Sequence, residues 1–131
     1  MIRPRVLLAD DHPALLEATT ALLNRQFDIV GTAVDGATLV SEALRLRPDV
    51  IVSDITMPVM SGIDAVHELR ELAFSAKIVF LTIHSEEQFL EACLAEGALG
   101  YVVKAHMKRH LIPAIKAALV GESYISPFVS K

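Results

Sequence analysis

Asp10-Asp11, Asp54, Thr82 and Lys104 lie far apart in the chain, yet each ends or directly follows a short run of apolar and β-branched residues. Each alone has a plain structural explanation. Asp is a preferred cap before a helix that begins near Pro13. Asp54 suits a turn ahead of Met57-Pro58 and Gly62. Thr82 suits a strand and Lys104 a solvated surface. Brought to one edge of a sheet, the same residues acquire a joint chemistry. Three converging carboxylates repel one another and raise each other's pKa unless a cation joins them. Hard oxygen donors, with waters completing the shell, suit Mg2+. A carboxylate is also a nucleophile toward phosphorus. Phosphoryl transfer needs positioning and charge neutralisation more than covalent assistance. Mg2+ and the Lys104 ammonium would supply the charge, and the Thr82 hydroxyl would donate a hydrogen bond to a phosphoryl oxygen.

The elements that must position these residues are legible as an alternation. Runs at 6–9, 28–34, 50–53, 77–82 and 99–103 are short, mostly apolar and Val/Ile-rich, as strands covered on both faces are. Between them, helical spacing predicts helices at about 13–26, 37–46, 62–72, 86–96 and 108–120. Ser85 and Gln88 are spaced as a capping box for the fourth helix, and Gly97 is placed to end it. Strict βαβα alternation implies a parallel sheet with helices on both faces and right-handed crossovers. Five strands suit an α/β, flavodoxin-like (βα)5 doubly wound sheet in the order 2-1-3-4-5, whose ligands bind beyond the carboxyl ends of the strands. The expected organisation is one domain over 1–121, with 122–131 a linker start or loose tail.

The 131 residues are 53% hydrophobic and 21% charged, a globular composition. The formal net charge of -4 gives no basic face for nucleic acid. Cys93 has no partner for an internal disulfide, which fits a reducing cytoplasm. The start Met1-Ile2-Arg3-Pro4 runs straight into a strand, with no signal-peptide pattern, and no apolar run is long enough for a bilayer. The five histidines show no metal-ligand spacing; His106 and His110, four apart, suit a surface helix turn better.

VLLADDHPALLEATTALL, with its acidic pair, and VIVSDITMPVMSGIDAVHELR, with its Asp, Met-Pro and Gly, resemble the first two motifs of response-regulator receiver domains. KIVFLTIHSEE and GALGYVVKA resemble that family's Thr and Lys motifs, and the likeness covers about 5–121. The wording of LTIH and IPAIKAALVGESYISP is most similar to the NarL/FixJ (LuxR-type) subgroup, whose members usually carry a C-terminal helix-turn-helix domain. The resemblance implies that Asp54 accepts a phosphoryl group from a sensor histidine kinase. It implies that Asp11 ligates Mg2+ directly, Asp10 acts through a water, and the Thr56 carbonyl is a further ligand. Thr82 and Tyr101 would be the switch pair, biased by a local charge event. The protein would then catalyse only its own phosphorylation and dephosphorylation. Homodimerisation on phosphorylation, and DNA contact only through a domain absent from this chain, belong to the same expectation.

Three positions depart from the family pattern. Ile83 stands where a small residue is usual, and is expected beside Asp54, either crowding water's approach to phosphorus or packing under the fourth helix. Ala105 stands where many receivers have a Pro. Pro113 falls where a helix tolerates it only in its first turn, which would delay the start of the fifth helix. The residues do not suit two other functions. A haloacid-dehalogenase-type phosphatase needs an Asp two residues after its nucleophile, where this chain has Thr56. A flavin carrier needs a Ser/Thr/Gly-rich phosphate loop, where this chain has Asp10-Asp11-His12-Pro13. A stand-alone receiver acting through a protein partner is the remaining alternative.

Overall fold

The computed structural model describes residues 3–126. Six strands, β1 (Arg5–Ala9), β2 (Asp28–Ala33), β3 (Val50–Ser53), β4 (Lys77–Thr82), β5 (Gly100–Val103) and β6 (Tyr124–Ile125), form one sheet in the order β2-β1-β3-β4-β5-β6. Every pairing is parallel. The connections carry helices α1 (Pro13–Leu23), α2 (Gly36–Leu46), α3 (Gly62–Glu71), α4 (Glu87–Ala95) and α5 (Met107–Leu119). The expected flavodoxin-like order is therefore present, with one strand added at its end.

The two-residue period of the strands divides the core. Leu7, Ile51, Phe80 and Tyr101 point to the face covered by α2, α3 and α4. Val6, Leu8, Val50, Val52, Val79, Leu81 and Val102 point to the face covered by α1 and α5. Burial on both faces explains why the strands read as continuous apolar runs. Cys93 lies in the first of these layers, and burial pushes its thiol pKa up to about 12, so it is a packing residue and not a thiolate nucleophile. No helix among the described residues is long and apolar enough to cross a membrane.

Local details differ from the sequence expectations. The tail is not loose over its first residues. Tyr124 and Ile125 pair with Gly100 and Tyr101, and the Ser126 N–H donates to the Tyr101 carbonyl at 2.8 Å. The Tyr124 hydroxyl and His110 Nδ1 lie 2.6 Å apart, which fastens the strand to α5. The Ser85/Gln88 capping box does not form: Glu86 is the N-cap of α4 and makes no side-chain cap bond. The chain leaving β4 is tied down at His84, whose carbonyl accepts from the Tyr101 hydroxyl and whose ring stacks on Phe89, so the helix begins one residue late for that box. Pro113 does not delay α5. A 3-10 turn at Lys104–His106 leads into a helix from Met107, with Pro113 in its second turn. An interior Pro costs about 3 kcal/mol, but burying Met107, Leu111 and Ile115 against the sheet returns roughly 1.5–3 kcal/mol each. All peptide bonds among the described residues are trans, including Lys104–Ala105.

Candidate functional site

Parallel pairing places the carboxyl ends of β1, β3, β4 and β5 together. The Asp10 N–H donates to the Ala33 carbonyl at 3.0 Å and the Asp54 N–H to the Ala9 carbonyl at 2.9 Å, so both aspartates leave the sheet at its edge in fixed orientations. Neither acts as a helix cap. The N-cap of α1 is His12, without a side-chain cap bond, and Asp10 Oδ1 instead accepts from the His12 N–H at 2.9 Å.

The centre of the site is nearly closed to solvent: Asp10 and Asp54 are each only 4% exposed. Asp54 Oδ1 accepts from the Ile55 N–H at 2.7 Å, and Oδ2 accepts from Lys104 Nζ at 2.9 Å. The same ammonium lies 2.7 Å from Asp10 Oδ2. Burial pulls the Lys104 pKa down, but its hydrogen bonds and charge interactions with Asp10 and Asp54 outweigh that pull and leave it above the ordinary lysine value. Lys104 is therefore a fixed positive charge across the neutral range. Gly62, first residue of α3, presses on the back of Asp54: a Cβ there would lie 1.9 Å from the Asp54 carbonyl oxygen.

Asp11 completes an acidic cluster with Asp10 and Asp54, and His12 joins it; one donor atom from each of the four lies within 4.8 Å of the others. Asp10 Oδ2 and Asp11 Oδ1 are closed to solvent; the Lys104 ammonium lies beside the first, and His12 Nδ1, 3.1 Å away, beside the second. Three carboxylates against one ammonium leave an excess of two negative charges in this cluster. A hard divalent cation matches both that deficit and the donor type. The chain thus offers a set of oxygen donors that fits Mg2+.

Thr82 is fully buried, and its hydroxyl accepts from the His84 N–H at 3.2 Å, which leaves its own proton free to be donated. Tyr101 is fully buried, with its hydroxyl donating to the His84 carbonyl at 2.7 Å. Burial raises the Tyr101 phenol pKa above its ordinary value, so it is a donor and not a base. Thr56 is exposed, and its hydroxyl meets His84 Nε2 at 3.0 Å across the mouth of the site. Ile83 is 71% exposed, which removes the reading that it packs under α4. Sequence reasoning placed the carboxylates, Thr82 and Lys104 at this edge, and Tyr101 entered only through the family resemblance. It gave His12 no part in the site and named His84 only as a residue to test after Ile83; neither carries a spacing signal.

The profile of the response regulator receiver domain matches residues 6–116. The transcriptional regulatory protein YxjL of Bacillus subtilis is 38% identical over 121 residues, covering 91% of this chain and 56% of the relative. The oxygen regulatory protein NreC of Staphylococcus carnosus is 33% identical over 126 residues, covering 94% of this chain and 58% of its own length. The chain thus spans somewhat over half the length of these relatives. A LuxR-family two-component response regulator from an Aurantimonas species superposes with a TM-score of 0.92 at 32% identity, covering 98% of this chain and 93% of that one. The isolated REC domain of RcsB from Salmonella enterica, solved with phosphomimetic BeF3-, superposes with a TM-score of 0.88 at 26% identity, covering 98% and 96%.

Proposed function

Because this chain belongs to the response-regulator receiver family, of the NarL/LuxR type, we propose that it takes up a phosphoryl group on Asp54 from a phosphohistidine of a sensor kinase. The reading is carried by one observation: a carboxylate only 4% exposed, held by a single ammonium and flanked by two further carboxylates at the carboxyl edge of the sheet. An Asp54 oxygen attacks phosphorus in line, the phosphorus–nitrogen bond breaks with its electron pair leaving on the imidazole, and an acyl phosphate remains. Lys104 keeps its charge on the reacting oxygens, and Thr82 donates its free proton to a phosphoryl oxygen. Mg2+, when bound by Asp10, Asp11, Asp54 and the Thr56 carbonyl, supplies the remaining charge neutralisation. In this reading Asp11 is a direct ligand and Asp10 acts through a water. The phosphatase alternative finds no support, since the relatives are transcriptional response regulators.

Thr82 and Tyr101 form the switch in this proposal. Both are already connected to His84, one through its N–H and one through its carbonyl, so a shift of Thr82 toward a phosphoryl group acts on the backbone that holds Tyr101. The output is proposed to be transcription, through a helix-turn-helix domain in the part of the relatives that this chain does not cover, with dimerisation following phosphorylation in the cytoplasm.

Two measurements test parts of this scheme. Calorimetric titration with Mg2+ is expected to give one weak site. Asp11→Ala is expected to weaken it at least about tenfold, the lower bound for losing even a residue that only supports a ligand. An affinity unchanged in Asp11→Ala counts against the ligand assignment. The second concerns lifetime. Ile83 adjoins Thr82 and stands out from the fold, and its branched side chain is proposed to obstruct the line along which water reaches phosphorus. Ile83→Ala is expected to speed decay of the acyl phosphate in excess Mg2+ without kinase, with stability little changed. An equal or slower decay would remove Ile83 from the account.

A further inference from the structure

His12 is the one nitrogen donor in the acidic cluster, and its position is specific. Its Nδ1 lies 3.1 Å from Asp10 Oδ1 and 3.1 Å from Asp11 Oδ1. Two donors sharing one octahedral cation along a cis edge are about 3.0 Å apart when the bonds are about 2.1 Å long. The spacing of this nitrogen from Asp11 Oδ1, the direct ligand, therefore matches a common coordination sphere as well as it matches a hydrogen bond, and Asp10 Oδ1 steadies the ring from the other side. The backbone favours it too: the His12 N–H is anchored on Asp10 Oδ1 at 2.9 Å, and Pro13 opens α1 immediately afterwards, so the side chain is held at the rim of the cluster. The ring itself is largely exposed, at 69%.

We propose that His12 is a further donor to the divalent cation, making this an oxygen site with one imidazole arm. The inference rests on the Mg2+ reading above and deepens it. Mg2+ prefers oxygen and water and has little use for the arm. Imidazole is a better donor to first-row transition ions than to Mg2+, and Mn2+ is the one among them that also suits an oxygen-rich site. The site therefore distinguishes among divalent cations: His12 raises the affinity for Mn2+ and leaves that for Mg2+ little changed. A cell rich in Mn2+ would load this receiver differently from one rich in Mg2+.

The probe is Mn2+ itself, with the intact chain, His12→Ala and Asp11→Ala. Calorimetry gives the Mn2+ and Mg2+ affinities, and pulsed electron paramagnetic resonance reads a directly bound nitrogen-14 on Mn2+. The expected result is a nitrogen coupling in the parent that vanishes in His12→Ala. Mn2+ affinity should fall there by at least about tenfold, with Mg2+ affinity changed less than about twofold. Urea unfolding of His12→Ala should match the parent, as befits an exposed side chain. Mn2+ that binds and depends on Asp11, but shows no nitrogen coupling or keeps it in His12→Ala, overturns the role of His12 and leaves the oxygen site standing. Absence of any Asp11-dependent Mn2+ or Mg2+ binding overturns both.

Discussion

Asp54→Asn is expected to abolish phosphorylation by a small-molecule phosphodonor while the domain stays folded. The substitution keeps the shape of the side chain and an oxygen that can accept the Ile55 N–H or the Lys104 proton now received by the carboxylate. It removes the negative charge and with it the nucleophile, because an amide oxygen does not attack phosphorus. Lys104 retains Asp10 at 2.7 Å, so no ammonium is left without a partner. Removing one of three crowded carboxylates also relieves repulsion in the absence of metal, and the melting temperature should be unchanged or raised. Acid-labile, hydroxylamine-sensitive label on the parent, and none on Asp54→Asn, is the expected pair of results. Full labelling of the variant would place the acceptor elsewhere.

The second large effect is on the scaffold beneath that carboxylate. Gly62→Ala is expected to destabilise the fold by about 3 kcal/mol, at the upper end of what overpacking costs. Its Cβ would meet the Asp54 carbonyl oxygen at 1.9 Å and Ser53 Oγ at 2.8 Å, and the first of these is backbone that cannot swing aside. The Gly62 N–H donates to the Ile55 carbonyl at 2.7 Å, so moving α3 away breaks a second contact of the same loop. The natural comparison is Gly121→Ala. Gly121 adopts φ +80° with nothing within 4 Å of an added Cβ, and its substitution should cost only about 1–2 kcal/mol of backbone strain. Urea denaturation of both variants decides the matter. A Gly62→Ala loss equal to or below that of Gly121→Ala would mean the loop yields easily. Where Gly62→Ala still folds, its phosphorylation should slow, because the displaced atom is the acceptor's own carbonyl.

The sheet was legible because β1, β3, β4 and β5 are buried on both faces and read as unbroken Val/Ile/Leu runs. The same signal could not show β6. Two residues, Tyr124 and Ile125, are too few for any periodicity, and they are held by pairing to β5 and by the contact of Tyr124 with His110. Asp10, Asp54, Thr82 and Lys104 were legible because parallel topology converts "follows a strand" into "stands at one edge". His12 and His84 were not, since a histidine next to a motif residue has many structural uses, and only distances to Asp10, Asp11 and Thr56 select one. α4 starts one residue later than its Ser85/Gln88 pattern predicts because two tertiary contacts at His84 prevail over local capping.

Conversion of this chain to an aspartyl phosphate at a single position is the expectation on which the rest depends. Its most direct test is the intact mass of the parent protein after incubation with acetyl phosphate, with and without Mg2+, followed by borohydride trapping and peptide mapping. A gain of one phosphoryl group that requires Mg2+ is expected, with the reduced residue mapped to Asp54. No mass gain under these conditions, or a trapped residue at any other aspartate, would contradict it.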